Sequence, residues 1–82
     1  MTGHILIVDD EPGIRQMLSF TLAGDGYTCA EAGDIEQAHA TIQGRRPDLI
    51  LLDWMLPGIS GVDFARRLRR EQRTSGVPII ML

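Results

Sequence analysis

Three short, unbroken apolar runs punctuate the chain: Ile5-Leu6-Ile7-Val8, Leu49-Ile50-Leu51-Leu52 and Pro78-Ile79-Ile80-Met81-Leu82. Runs this short and this rich in branched side chains predict strands buried on both faces, as in a parallel sheet. A fourth segment, Tyr27 to Glu31, is more polar and suits an edge strand.

Between these runs, apolar residues recur at helical spacing. Ile14, Met17, Leu18 and Leu22 fall on one face at intervals of three and four. Pro12 stands where that helix would begin, a position that tolerates its missing N–H, and Gly24 or Gly26 can end it. Ile35, Ala38 and Ile42 share a face of a second helix. Asp34 precedes them with Gln37 three residues on, in the pattern of a capping box, and Gly44 and Pro47 stop the helix. A third helix begins at Ser60, with Asp63 three residues later. Its residues Phe64, Ala65 and Leu68 lie opposite a run of arginines. Strand, helix, strand, helix, strand, helix, strand predicts an α/β protein with a doubly wound parallel sheet, right-handed crossovers and helices on both faces. The connections are short, no linker divides the chain and no internal repeat is present, so residues 1–82 read as one domain.

Composition adds little to the fold but narrows the chemistry. With 44% apolar and 23% charged residues, the chain reads as an ordinary globular domain. Its formal charge is −3, and all eight basic residues are arginines. That balance argues against nucleic acid as the direct partner of this segment. The run Arg66, Arg67, Arg69, Arg70 and Arg73 reads as a solvated helix face. Cys29, the single cysteine, cannot form an internal disulfide and reads as a buried small hydrophobe. The apolar runs are far shorter than the roughly 20 residues of a membrane span, and no secretory signal opens the chain. A cytoplasmic location with no membrane partner is the resulting expectation.

The candidate chemistry sits where the strands end. In doubly wound sheets, ligands bind beyond the carboxyl ends of the strands. Asp9 and Asp10 follow the first strand directly, and Asp53 follows the third. If those strands are neighbours, three carboxylates converge. They repel one another, so the site is costly unless a cation occupies it. Mg2+ suits one or two carboxylates plus a phosphate. An aspartate can also act as a nucleophile and form an acyl phosphate, with Mg2+ neutralising the charge. The plainer alternative is that Asp9-Asp10 caps a helix and Asp53 opens an ordinary turn.

Two blocks carry a resemblance. Ile7-Val8-Asp9-Asp10-Glu11-Pro12, followed by Pro47-Asp48-Leu49-Ile50-Leu51-Leu52-Asp53-Trp54-Met55-Leu56-Pro57-Gly58 and Ser60-Gly61, resembles the receiver domain of two-component response regulators. These belong to the CheY-like superfamily, and the second block is similar to the OmpR/PhoB type, whose members carry a DNA-binding winged helix after the receiver. The resemblance implies a flavodoxin-like sheet in the order 2-1-3-4. It implies that Asp53 accepts a phosphoryl group from a sensor histidine kinase, as a signalling phosphoacceptor rather than an enzyme. It makes Asp10 the direct Mg2+ ligand, Asp9 its acidic partner acting through water, and the backbone carbonyl of Met55 a further ligand. Pro57 and Gly58 shape the loop after Asp53, Gly61 starts the next helix, and Trp54, beside the acceptor, reads as loop packing or as an optical reporter.

A complete receiver has five strands and five helices. Its hydroxyl residue follows the fourth strand and its lysine ends the fifth. Neither falls within these 82 residues, which contain no lysine. The expectation is therefore a receiver lacking its last strand and last two helices, with weakened Mg2+ binding, slow phosphoryl transfer and no output switch. Val77, Ile79, Ile80 and Met81 should lie uncovered on an edge that pairs with a second copy.

Other classes fit less well. A self-associating interaction module with a vestigial acid cluster is the alternative. Aspartyl-nucleophile phosphohydrolases place a second aspartate two residues after the first, where Met55 stands. No G-x-G-x-x-G follows the first strand, and neither His4 nor His39 has a partner at metal-ligand spacing.

Overall fold

A computed structural model describes residues 3–82. Strands β1 (His4–Val8), β2 (Thr28–Ala32), β3 (Leu49–Leu52) and β4 (Ile79–Met81) alternate with helices α1 (Pro12–Gly24), α2 (Ile35–Gly44) and α3 (Gly61–Arg70). All pairings are parallel, in the order β2-β1-β3-β4. This is the α/β, flavodoxin-like arrangement expected. The unbroken run of β1 is buried along its whole length between two neighbours, and the more polar β2 lies at an edge. Ile5 to Val8 pair in register with Leu49 to Leu52, so β1 and β3 end level with each other.

Alternate residues of the strands feed two unequal cores. On one face, Leu6, Val8, Ile50 and Leu52 meet Ala38 and Ile42 of α2 and Phe64 and Leu68 of α3. On the other, Ile5, Ile7 and Leu51 pack with Cys29, Leu49 and, from α1, Leu18 and Leu22. A helix is about 10 Å wide, and strands lie about 4.8 Å apart, so one helix cannot cover four strands. The result departs from the expected burial of α1. Ile14 and Met17 stay 43% and 59% exposed, and Phe20 on the same helix is 84% exposed. Ile80, level with Leu51 and on the same side, is uncovered as well. Val77 corrects the expectation of a bare strand edge. It precedes β4 and is buried in the larger core, whereas Ile80 and Met81 are exposed.

The helix ends follow the sequence signals with small changes. Gly26, at φ +95°, supplies the left-handed turn after α1, and Asp25 caps the helix. Asp34 Oδ1 accepts the Gln37 amide at 2.8 Å, but Gln37 Oε1 returns to the Gly33 amide rather than to its cap residue. Ser60 Oγ accepts the Asp63 amide at 3.2 Å and starts α3. Arg66, Arg67 and Arg70 are exposed as expected, but Arg69 and Arg73 are not idle. Arg69 Nη1 donates to the carbonyls of Thr74, Ser75 and Val77, and Arg73 Nε donates to Ile42 O. The five-donor guanidinium fork lets a surface arginine satisfy the carbonyls of a turn, here the one leading to β4. Cys29 is half-buried rather than fully buried, and burial pushes its thiol pKa up, in keeping with a packing role.

Two expected outcomes follow from this packing. A Cβ at Gly61 would meet backbone on backbone, 2.5 Å from Trp54 Cα. Gly61→Ala should therefore cost about 1–3 kcal/mol and lower the melting midpoint by about 4–8 °C per kcal/mol, as read by thermal circular dichroism. An unchanged midpoint contradicts the close approach. The second concerns His4, which is buried and whose Nδ1 lies 2.8 Å from Thr28 Oγ1. Burial, and then the charge of Arg45, lower its pKa, with Asp48 opposing. The unfolded chain then binds the proton more readily than the folded one. The contribution of His4 is thus fully present above about pH 6.5, the ordinary histidine value, and is lost as pH falls below it. His4→Gln should flatten the decline in melting midpoint between pH 7.5 and 5.5, and an equally steep decline in the variant rules this out.

Candidate functional site

Two backbone bonds carry the sheet one residue past its strand ends. The Asp9 amide donates to Ala32 O at 3.1 Å, and the Asp53 amide donates to Val8 O at 2.8 Å. Because β1 and β3 end level, this puts Asp9 and Asp53 side by side, with Asp10 next along the chain. One carboxylate oxygen from each of the three lies within 4.8 Å of the others. Asp9 is buried, Asp53 half-buried and Asp10 exposed, so the cluster runs from the core out to solvent.

Each element around the cluster is held by local chemistry. Asp9 Oδ1 accepts the Glu11 amide at 2.9 Å. Glu11 in turn caps α1 by accepting the Gly13 amide, directly before Pro12 in the first turn. The capping role open to Asp9-Asp10 thus belongs to Glu11, which sequence reasoning missed, although an acidic residue directly before a first-turn proline is a recognisable signal. Asp9 and Asp53 each accept the amide two residues on, so each also opens a local turn, as the plainer reading has it for Asp53.

The loop from β3 to α3 forms the other wall. Asp53 Oδ1 accepts the Met55 amide at 3.1 Å, so Met55 main chain stands beside the Asp53 carboxylate. The Gly61 amide closes on Trp54 O at 2.8 Å, Met55 bridges to Ser60, and Leu56 is anchored in the core. Gly58 turns the loop at φ +84°, a left-handed value that favours glycine. Trp54 does not pack into the loop, contrary to one of its two expected roles. It stays 56% exposed and borders, with Asp10, Met55 and Pro57, a groove of about 590 Å³ that opens beside the carboxylates.

The histidines lie outside this group. His4 bonds Thr28 on the neighbouring strand, and His39 Nε2 pairs with Glu71 at 3.2 Å. A second residue missed by the sequence reading is Arg15, whose Nη1 donates to Asp9 O at 2.6 Å. No local pattern marks it, since its other partner, Glu31, lies on β2. Among the described residues, no helix is long and apolar enough to cross a membrane.

The chain matches known proteins over nearly all of its length. The model of the response regulator receiver domain family matches residues 5–82. The phosphate regulon transcriptional regulatory protein PhoB of Pseudomonas aeruginosa is 60% identical over 78 residues, which is 95% of this chain and 34% of that protein. The DNA-binding response regulator MtrA of Mycolicibacterium smegmatis is 49% identical over 82 residues, covering 100% of this chain and 35% of that protein. Among solved structures, the chemotaxis response regulator CheY4 of Vibrio cholerae superimposes with a TM-score of 0.92 at 36% identity, covering 99% of this chain and 68% of that one. The chain thus spans about a third of the length of the curated relatives it matches. With four strands in the order 2-1-3-4 and three aspartates gathered at their carboxyl ends, the chain belongs to the response regulator receiver domain family, the phosphoacceptor module of two-component signalling.

Proposed function

We propose that Asp53 is the phosphoryl acceptor of this receiver, charged by a sensor histidine kinase with Mg2+ bound at the acid cluster. The observation that carries this reading is the convergence of three carboxylate oxygens within 4.8 Å at the ends of adjacent strands. Three hard oxygen donors at that spacing, graded from buried to exposed, fit a small divalent cation that keeps part of its water shell. Asp10 and Asp53 would hold it directly, Asp9 through water, and Met55 through its main-chain carbonyl. When bound, Mg2+ supplies positive charge to the phosphoryl oxygens.

The chain's own residues do the rest. The Met55 amide engages Asp53 Oδ1, which orients the carboxylate and leaves its second oxygen to attack phosphorus. The product is an acyl phosphate on Asp53, and the bond from phosphorus to the donor breaks as the new one forms. Asp9 is fixed by the Glu11 amide, which holds its carboxylate beside that of Asp53. The module is a signalling domain and not an enzyme with a separate substrate. Met55 stands where an aspartyl phosphohydrolase would carry its second aspartate. Two relatives are described as a transcriptional regulatory protein and a DNA-binding response regulator. By extension, phosphorylation of Asp53 controls a DNA-binding output in the full-length protein, in the cytoplasm. DNA contact belongs to that output part and not to this acidic segment.

The 82-residue chain also offers a sheet edge. Among the described residues, no strand lies beside the outer side of β4, and Ile80 and Met81 are 51% and 39% exposed. An apolar edge of this kind pairs with another strand, so self-association through β4 is the expected solution behaviour of this chain.

Beryllium fluoride with Mg2+ imitates an acyl phosphate and should change Trp54 fluorescence, since Trp54 adjoins Asp53 and is the single tryptophan. Asp53→Asn should abolish the response. A response that survives this substitution, or none in the parent chain, contradicts the acceptor role. Self-association is checked by sedimentation over a range of concentrations: the apparent mass should rise with concentration, and Ile80→Lys should suppress the rise. A parent chain that stays monomeric at high concentration excludes pairing through β4.

A further inference from the structure

Arg15 lies in the first turns of α1 with its side chain only 18% exposed. Its guanidinium reaches back over the cluster loop, where Nη1 donates to Asp9 O at 2.6 Å. Nε lies 3.5 Å from Glu31 Oε1 on β2, close enough for an ion pair but outside hydrogen-bond geometry, and is buried without a hydrogen-bond partner. Among the described residues, the bond to Asp9 is therefore the one hydrogen bond the guanidinium makes. On its other side, a Cβ at Gly33 would come within 3.0 Å of Nη1, so the β2–α2 loop is shaped to leave room for it.

Neither the sheet nor the helix needs this contact in order to form. The Asp9 amide already bonds Ala32 O, and Glu11 already caps α1. What the bond to Asp9 O constrains is the peptide between Asp9 and Asp10. Among the described residues, Asp9 and Asp53 each accept an amide hydrogen bond on Oδ1, whereas the Asp10 carboxylate accepts none. The direction of Asp10 thus depends on its backbone, and Arg15 grips that backbone.

We propose that Arg15 is a positioning residue for the cation site: by holding the Asp9 carbonyl it fixes the Asp9–Asp10 peptide and aims the Asp10 carboxylate at Asp53. The inference rests on the Mg2+ reading above. Charge and position act here in opposite senses. A guanidinium beside a cation site repels the cation, so loss of its charge alone would tighten Mg2+ binding. Loss of positioning weakens it, because residues that orient ligands typically change metal affinity by about 10–100-fold.

The test is a Mg2+ titration of the full chain followed by Trp54 fluorescence, well below the melting midpoint. Arg15→Gln should bind Mg2+ about tenfold more weakly, the low end of that range, since Asp10 is solvent-facing. Arg15→Lys should not restore binding, because an ammonium lacks the fork that spans Asp9 O and Glu31. Glu31→Gln keeps the bond to Asp9 and should weaken binding less than Arg15→Gln does. In the metal-free protein, Arg15→Gln should also speed hydrogen exchange at the Asp10 and Glu11 amides. Unchanged or tighter Mg2+ binding in Arg15→Gln overturns the proposal, as does a lower melting midpoint with unchanged affinity. If that variant fails to fold, Arg15→Lys, which keeps the charge, decides instead: affinity equal to that of the parent chain overturns the proposal. A parent chain that binds no Mg2+ refutes the metal reading itself, and this inference with it.

Discussion

The level pairing of β1 with β3 is the constraint on which the site depends. Parallel strands hold their neighbours in a fixed register, and a slip of one residue would turn every side chain to the opposite face. Here Val8 is opposite Leu52, so the next residues, Asp9 and Asp53, stand side by side. The apolar alternation makes this register hard to change. Leu6, Val8, Ile50 and Leu52 must all face α2 and α3, while Ile5, Ile7 and Leu51 face α1. The greasy interior of the sheet therefore positions the acidic chemistry at its rim.

Gathering three carboxylates opposes folding unless their surroundings compensate. Part of the compensation is visible in amide donors: Glu11 N–H to Asp9 and Met55 N–H to Asp53. Hydrogen bonds to an ionised acceptor are stronger than neutral ones, and both are supplied by loops already fixed for other reasons. The Glu11 amide belongs to the cap of α1, and the Met55 amide to a loop closed by Gly61 on Trp54. Among the described residues, Asp10 has no such donor and faces water. The same economy explains Gly61, where helix backbone touches loop backbone and no side chain fits.

The two faces of the sheet are unequal. Two helices and the core residue Val77 cover one face, while a single helix over the β1–β2 side covers the other. Ile80, level with Leu51 but beyond the reach of α1, is exposed on that thinly covered face, whereas Phe20 points away from the sheet, opposite Leu18 and Leu22. The arginines divide along similar lines. Those pointing away from the core remain in water, whereas Arg69 and Arg73 satisfy carbonyls of the chain segments beside them.

Much of this protein is written in local pattern. Unbroken apolar runs specify the strands, because a strand buried on both faces has no polar side to show. Residues at spacings of three and four, together with Pro12, Asp34 and Ser60, specify the helices and their starts. The aspartates were legible as candidates because they directly follow two such runs, and the spacing of the two blocks pointed to the family. Other features depended on tertiary contacts that no window of sequence contains. The burial of α1 turned on how many helices share its face. Arg69 looked like one more solvated arginine until the turn before β4 folded against it. Arg15 carries no local signature, because its two partners lie at the end of β1 and on β2, and only the parallel pairing of those strands brings them within reach of one guanidinium.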